Sequence, residues 1–183
     1  MNAIRSSLAL LAVAATISGC FTTKAVNPRP SLNVPPQTAQ MGLVLGDKVP
    51  DTAKIGMLTI TELRKSLWNG YVNGFGETAI ADRYGSTPGD YVVQIDKVEI
   101  EFNRLLDIGY FSARYKATLK SPNGDVLRTS NRNVRPRNIG TDATRQIIEL
   151  IEVIYEQMGE DFFATGNPVG PADSRNHENV QQM

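Results

Sequence analysis

The chain has 183 residues, and 19 Lys plus Arg balance 19 Asp plus Glu, so the formal net charge is zero. That length suits one domain with a real core, and balanced charge supplies no global field to gather nucleic acid, so no nucleic-acid partner is expected. A single cysteine and a single histidine exclude a disulfide framework and a zinc site of ordinary composition, and neither metal nor cofactor is expected.

Positions 1–19 read as a signal peptide. Arg5 and the amino terminus form a positive region, Leu8 to Ile17 an apolar run, and small residues lead to Cys20. The apolar run is too short to span about 30 Å of hydrocarbon as a helix, which favours a secretory signal over a membrane span. Its ending, Ile17-Ser18-Gly19-Cys20, resembles a bacterial lipobox. That resemblance implies that Cys20 becomes the first residue of the mature chain and carries a thioether-linked diacylglycerol and an amide-linked acyl chain such as palmitate. The competing reading is a plain secretory signal with a chance cysteine, or a buried free thiol. The coincidence of all three signal regions with the four-residue box argues against it. Two or more acyl chains make anchoring effectively permanent. Phe21 stands where enterobacterial lipoproteins place an aspartate for inner-membrane retention. By that family rule the expected location is the outer membrane, lipid-anchored, on its periplasmic face.

Positions 20–40 read as the lipidated cysteine and a tether, because Pro28, Pro30, Pro35 and Pro36 break helix and strand alike. An extended polyproline segment of about 3.1 Å per residue would hold a domain some tens of ångströms from the bilayer. The alternative is that a part such as Leu32 to Val34 packs on the domain.

A domain is expected over 41–165. Gly42 to Leu45 and Ile55 to Leu58 suit short strands. Thr59 or Thr61 then caps a helix in which Leu63, Leu67, Trp68, Tyr71, Val72 and Phe75 recur at helical spacing, with Glu62, Arg64, Lys65 and Asn69 facing away. Gly70 inside it costs about 1 kcal/mol relative to alanine. Gly74 and Gly76 supply the stop, and Trp68 reads as a core anchor rather than a ligand platform. After a loop through Tyr84 to Asp90, Tyr91, Val93 and Ile95 alternate on one parity and Val98, Ile100 and Phe102 on the other. That switch predicts a bulge near Asp96-Lys97. Phe111 to Leu119 forms the next strand, Ser121-Pro122-Asn123-Gly124 a tight turn, and Asp125 to Val134 the antiparallel return. Thr141-Asp142 caps a last helix with an apolar stripe of Ile147, Ile148, Ile151, Ile154, Tyr155, Met158, Phe162 and Phe163. Glu149, Glu152 and Glu156 fall off that stripe. Positions 166–183 are polar and aperiodic and read as a disordered tail.

The order predicts an α+β fold: a two-layer sandwich with a mainly antiparallel sheet of about four strands and two helices on one face. The lipobox cysteine, the Pro-rich segment, the helix ELRKSLWNGYVNGF, the strand YVVQIDKVEIEF, the S-P-N-G hairpin and the closing helix together resemble the YajG-like family of bacterial envelope lipoproteins. The architecture is also similar to LptE-like lipoproteins. The resemblance implies fold and location and no established activity.

An enzyme is not expected. His177 lies in the tail, which leaves no Ser-His-Asp or Cys-His arrangement to build, and no P-loop or dinucleotide fingerprint is present. Glu99 and Glu101 share a strand face with Lys97 and Asn103, which suits a solvated side better than a catalytic pair. The one local charge concentration is Arg128, Arg132, Arg135 and Arg137, interleaved with Asn131, Asn133 and Asn138. Guanidinium groups match carboxylate and phosphate, and Asn suits sugar hydroxyls, so these four are candidate anionic-ligand residues. The structural alternative is cross-strand pairing with Glu99 and Glu101 and protection of an edge strand. Two functions follow as expectations. One is a membrane-anchored, non-enzymatic interaction or assembly module with an envelope protein partner. The other is a lipoprotein that holds peptidoglycan or an anionic lipid or glycan through the Arg/Asn-rich strand.

Overall fold

A strand whose alternation changes parity needs one extra residue if the same sheet face is to stay apolar. The computed structural model places that residue where the pattern puts it, with a register shift between Ile95 and Lys97. The structure describes residues 21–32, 41–75, 91–105, 108–140 and 142–163. In chain order these form β1 (Phe21–Thr23), β2 (Met41–Lys48), β3 (Ala53–Ile55), β4 (Leu58–Ile60), α1 (Leu63–Phe75), β5 (Tyr91–Leu105), β6 (Ile108–Lys120), β7 (Val126–Val134) and α2 (Ala143–Phe163). The signal peptide and Cys20, the Tyr84–Asp90 loop, Thr141 and the tail with His177 lie outside the described residues.

The principal sheet has the order β2-β5-β6-β7, antiparallel except for the parallel β2–β5 pair. Its inner face carries Met41, Leu43, Leu45, Val93, Ile95, Val98, Ala113, Tyr115, Ala117 and Leu119, all buried. Both helices lend apolar stripes to this core: Leu63, Leu67, Tyr71 and Phe75 from α1, and Ile147, Leu150, Ile151, Ile154, Tyr155, Met158, Phe162 and Phe163 from α2. The fold is the α+β arrangement of helices on a sheet. Trp68 is half-buried against the same core and stacks obliquely beside Tyr71, 6.3 Å between ring centres. The turn after β6 closes as expected, with Gly124 at φ 88° donating its N–H to the Ser121 carbonyl at 2.9 Å.

Gly70 sits where the helices cross. A Cβ there would lie 2.9 Å from both Ile151 Cγ2 and Tyr155 Cε2, so the residue that weakens α1 intrinsically is the one that admits α2. The tyrosines in this contact are tied down: Tyr155 donates its hydroxyl to the Leu67 carbonyl at 2.6 Å and Tyr71 to the Met41 carbonyl at 2.7 Å. Burial pushes both phenols above their ordinary range.

Several expectations change. The early strand region holds two strands, β3 and β4, folded back across Gly56 (φ 60°) and Met57, and β1 adds to β4 in parallel. Where the hydrophobic pattern points to one strand, Ile55 to Leu58, this second sheet, β1-β4-β3, has three. Thr59 is therefore in β4, not a cap; α1 starts after Glu62, whose carbonyl accepts the Ser66 N–H at 2.9 Å. Arg64 does not face solvent. Its guanidinium donates to the carbonyls of Leu45, Gly46 and Val49 at 2.8–3.0 Å, closing the end of β2. Described α1 ends at Phe75, one residue past Gly74, while Gly76, the other expected stop, lies outside the described residues; a Cβ at Gly74 would lie 2.7 Å from Pro30 Cγ.

That last contact shows the fate of the described part of the predicted tether. Over 24–32 the chain docks on both helices. Pro28 and Pro30 are buried, and the Pro28 carbonyl accepts the Asn73 side-chain amide at 2.8 Å. On the other side the backbone N–H groups of Arg29 and Ser31 donate to Glu152 and Glu156 of α2, each at 3.0 Å. Proline breaks a ladder but presents an apolar ring, and the alternate residues still carry an N–H for a carboxylate to receive. The segment is a strap.

Candidate functional site

The strap explains a second reversal. Glu149 and Glu152, read as solvent-facing, are buried, and the Glu156 carboxylate is largely covered. They form a polar stripe on α2 that receives chain segments rather than water. Glu149 accepts the backbone N–H and the side-chain amide of Asn138, both at 3.0 Å, and the Arg145 guanidinium at 3.0 Å. Burial alone would raise its pKa. The Asn138 donors and Arg145 outweigh that and hold the carboxyl below the ordinary value. One turn earlier, Gln146 accepts the Phe111 N–H at 3.0 Å, tying α2 to β6.

The four candidate arginines do not converge. Strand register puts Arg128 and Arg132 on the inner parity with Leu119 and Tyr115, while Asn131 and Asn133 pair with Lys116 and Arg114 on the outer one. Arg128 donates to the Phe162 carbonyl near the end of α2, where a cation also suits the helix dipole. Arg132 grips Asp161 with two donors, and Ser130 donates to the same carboxylate at 2.6 Å. Arg132 is the foremost cause of Asp161's lowered pKa. Tyr115 completes this chain by donating to Ser130 at 2.7 Å, and burial pushes its phenol up to about 12. Arg137 pairs with Glu156 and, at 3.5 Å, with Glu152. Three of the four thus have partners on α2 and not the cross-strand ones of the structural alternative, since Glu99 and Glu101 pair with Lys97 and Arg114 instead.

Arg135 is the exception. It has no ion pair among the described residues and lines a shallow cavity of ≈ 260 Å³ on the outer sheet face. Asn103, Tyr110, Ser112 and Asn133 line the same hollow, with Glu101 at its side, and the Asn103 amide donates to Ser112 at 2.7 Å. A guanidinium with no ion pair among the described residues, two carboxamides, a hydroxyl and an aromatic ring can hold an anionic, hydroxyl-bearing group.

This hollow lies at the root of a second feature. The β5–β6 ladder continues through Phe102–Phe111 to Leu105–Ile108, whereas β2 leaves β5 at Lys97 and β7 leaves β6 at Ala113. The two strands therefore project as an arm beyond both neighbours. It exposes Phe102 (47 %) and Ile108 (50 %). The Phe102 ring lies against Phe111, 5.2 Å between centres, and over Gly109, filling the space a Cβ would take. The strand was legible from its alternation; its overhang was not, because register with the neighbours is a property of the sheet.

Among the described residues no group of three or more His, Cys, Asp or Glu side chains could hold a metal ion, and no helix is long and apolar enough to cross a membrane. No family model, curated protein or solved structure matches the chain.

Proposed function

We propose that the chain is a lipid-anchored protein of the cell envelope, on the periplasmic face of the outer membrane, working as a non-enzymatic interaction module through the β5–β6 arm. The lipobox ending at Cys20 supports the anchor, and the resemblance to YajG-like lipoproteins supports the compartment. The observation that carries the interaction reading is the overhang, where the β5–β6 ladder and two large apolar side chains extend past the neighbouring strands. An arm of this kind offers a partner a strand edge and an apolar anchor.

In-cell photo-crosslinking tests it. A photoreactive residue replacing Ile108 in the full lipoprotein is expected to yield a discrete protein adduct that a probe at Lys116, on the outer face of β6, does not. The adduct should be lost in the Cys20→Ala chain. Equal labelling from both positions would overturn the arm as the docking element.

Arg135 favours a second reading, capture of a carboxylate or phosphate of peptidoglycan or an anionic lipid in the hollow. On this reading Arg135→Gln abolishes a salt-sensitive retention on sacculi or anionic vesicles, because the charge contact is screened as ionic strength rises. Arg132→Gln keeps that retention and lowers stability by about 1 kcal/mol or less, since Arg132 is half exposed and Ser130 still donates to Asp161. Retention insensitive to both salt and Arg135 would remove this reading.

A further inference from the structure

The strand β1 begins at Phe21, the residue after the proposed lipid-bearing cysteine. Its N–H donates to the Met57 carbonyl at 3.0 Å, and Phe21, Leu58 and Ile55 form one row across the small sheet. At this end of the sheet the chain turns through Gly56 and Met57. The tip is therefore apolar: Phe21 is 60 % exposed and Met57 64 %, with Ile55 and Leu58 half-buried behind them. Phe21 and Met57 are joined by this backbone hydrogen bond, and an apolar covering would bury both exposed side chains.

The covalent chain says what covers them. Consecutive Cα atoms stand about 3.8 Å apart, so an acylated residue 20 delivers its hydrocarbon beside this tip with no spacer. The strap closes the remaining route to slack, because Thr23, Arg29 and Ser31 are tied to α2 and Pro28 to α1. The Lys24–Glu62 pair, 2.7 Å apart, lies at the opposite end of β1 and β4, so the tip itself is apolar without flanking ion pairs among the described residues.

From these contacts we infer that the β1-β4-β3 tip, through Phe21 and Met57, rests in the lipid interface, so that the acyl chains hold the domain flush on the bilayer rather than at the end of a spacer. The inference rests on the anchoring reading above. Buried chain contacts, not linker length, then set the orientation of the domain.

The test uses acylated protein in vesicles of phosphatidylethanolamine and phosphatidylglycerol. With Cys20 consumed by lipid, Met57→Cys or Asn131→Cys supplies a unique thiol for an environment-sensitive fluorophore. Asn131 lies on β7, the sheet edge opposite β2, and is exposed. Nitroxide-labelled lipid is expected to quench the probe at 57 about twofold or more over that at 131, as for groups buried ~5–10 Å into the interface. Equal or weaker quenching at 57 in vesicle-bound, acylated protein overturns the inference and leaves the anchor standing. Absence of acyl mass on Cys20 by mass spectrometry overturns the anchoring reading, and this one with it.

Discussion

Glu149→Gln is expected to lower the unfolding free energy by about 2 kcal/mol, read from urea denaturation, although the substitution changes one atom on a helix face that looks solvent-exposed in the sequence. The carboxylate has three donors at 3.0 Å, two from Asn138 and one from Arg145. A carboxamide replaces one acceptor oxygen by a donor, which then faces an N–H. The Asn138 segment that links β7 to α2 would lose a buried partner, and unmet buried donors are where hydrogen-bond deletions cost most. The effect must depend on pH. Glu149 has a folded pKa below its ordinary 4.5, so its stabilisation is fully present above that value and is lost as pH falls through the depressed folded pKa. Asp161, held below its ordinary 3.8 first by Arg132, acts in the same direction. The gap between the parent chain and Glu149→Gln should therefore close as the solution is acidified below about pH 4. A gap constant from pH 7 to pH 3 would show that the group acts by shape alone.

Gly70→Ala is expected to destabilise the fold by about 1–3 kcal/mol, against the sign of helix propensity. In an exposed helix the change would add about 1 kcal/mol of stability. Here the new methyl group meets Ile151 and the Tyr155 ring at 2.9 Å. Neither neighbour gives way cheaply: Ile151 is fully packed, and Tyr155 is fixed by its hydrogen bond to Leu67 and by the rings of Tyr71 and Phe75. Gly70→Val should be worse still. An increase in thermal midpoint for Gly70→Ala would mean that the helices separate without loss.

These two positions also show what was legible in the sequence. Elements with a repeating pattern were read well. The alternation of β5 located its bulge, the S-P-N-G turn located the hairpin, and the stripe of α2 named most of its core. Gly70 was correctly recognised as a weak point of α1, but the reason for it lies on another helix. The three-residue strands β1, β3 and β4 are too short to show a period, and prolines next to β1 argued for extended chain. The glutamates were misplaced because charge usually marks a solvated face. Backbone amides that satisfy buried carboxylates leave no trace in side-chain patterns. The arginine run failed for a related reason: closeness in sequence is not convergence, and strand parity sends Arg128 and Arg132 to one face and Asn131 and Asn133 to the other. The arm and its hollow depend on where neighbouring strands stop.

The strap has a kinetic consequence. Its bonds join positions 121 to 125 residues apart: Thr23 with Thr144, Arg29 with Glu152, Ser31 with Glu156. Contacts that distant in sequence form late, since loop-closure entropy must be overcome before they contribute. The β5-β6-β7 meander needs only neighbouring strands and can assemble first. The earliest segment to leave the synthesis machinery is thus the last to find its seat, because that seat is the final helix. For the anchored protein proposed above, a segment that docks last would stay open to processing at Cys20 until the domain has folded. Completion of α2 then locks the processed end onto the domain.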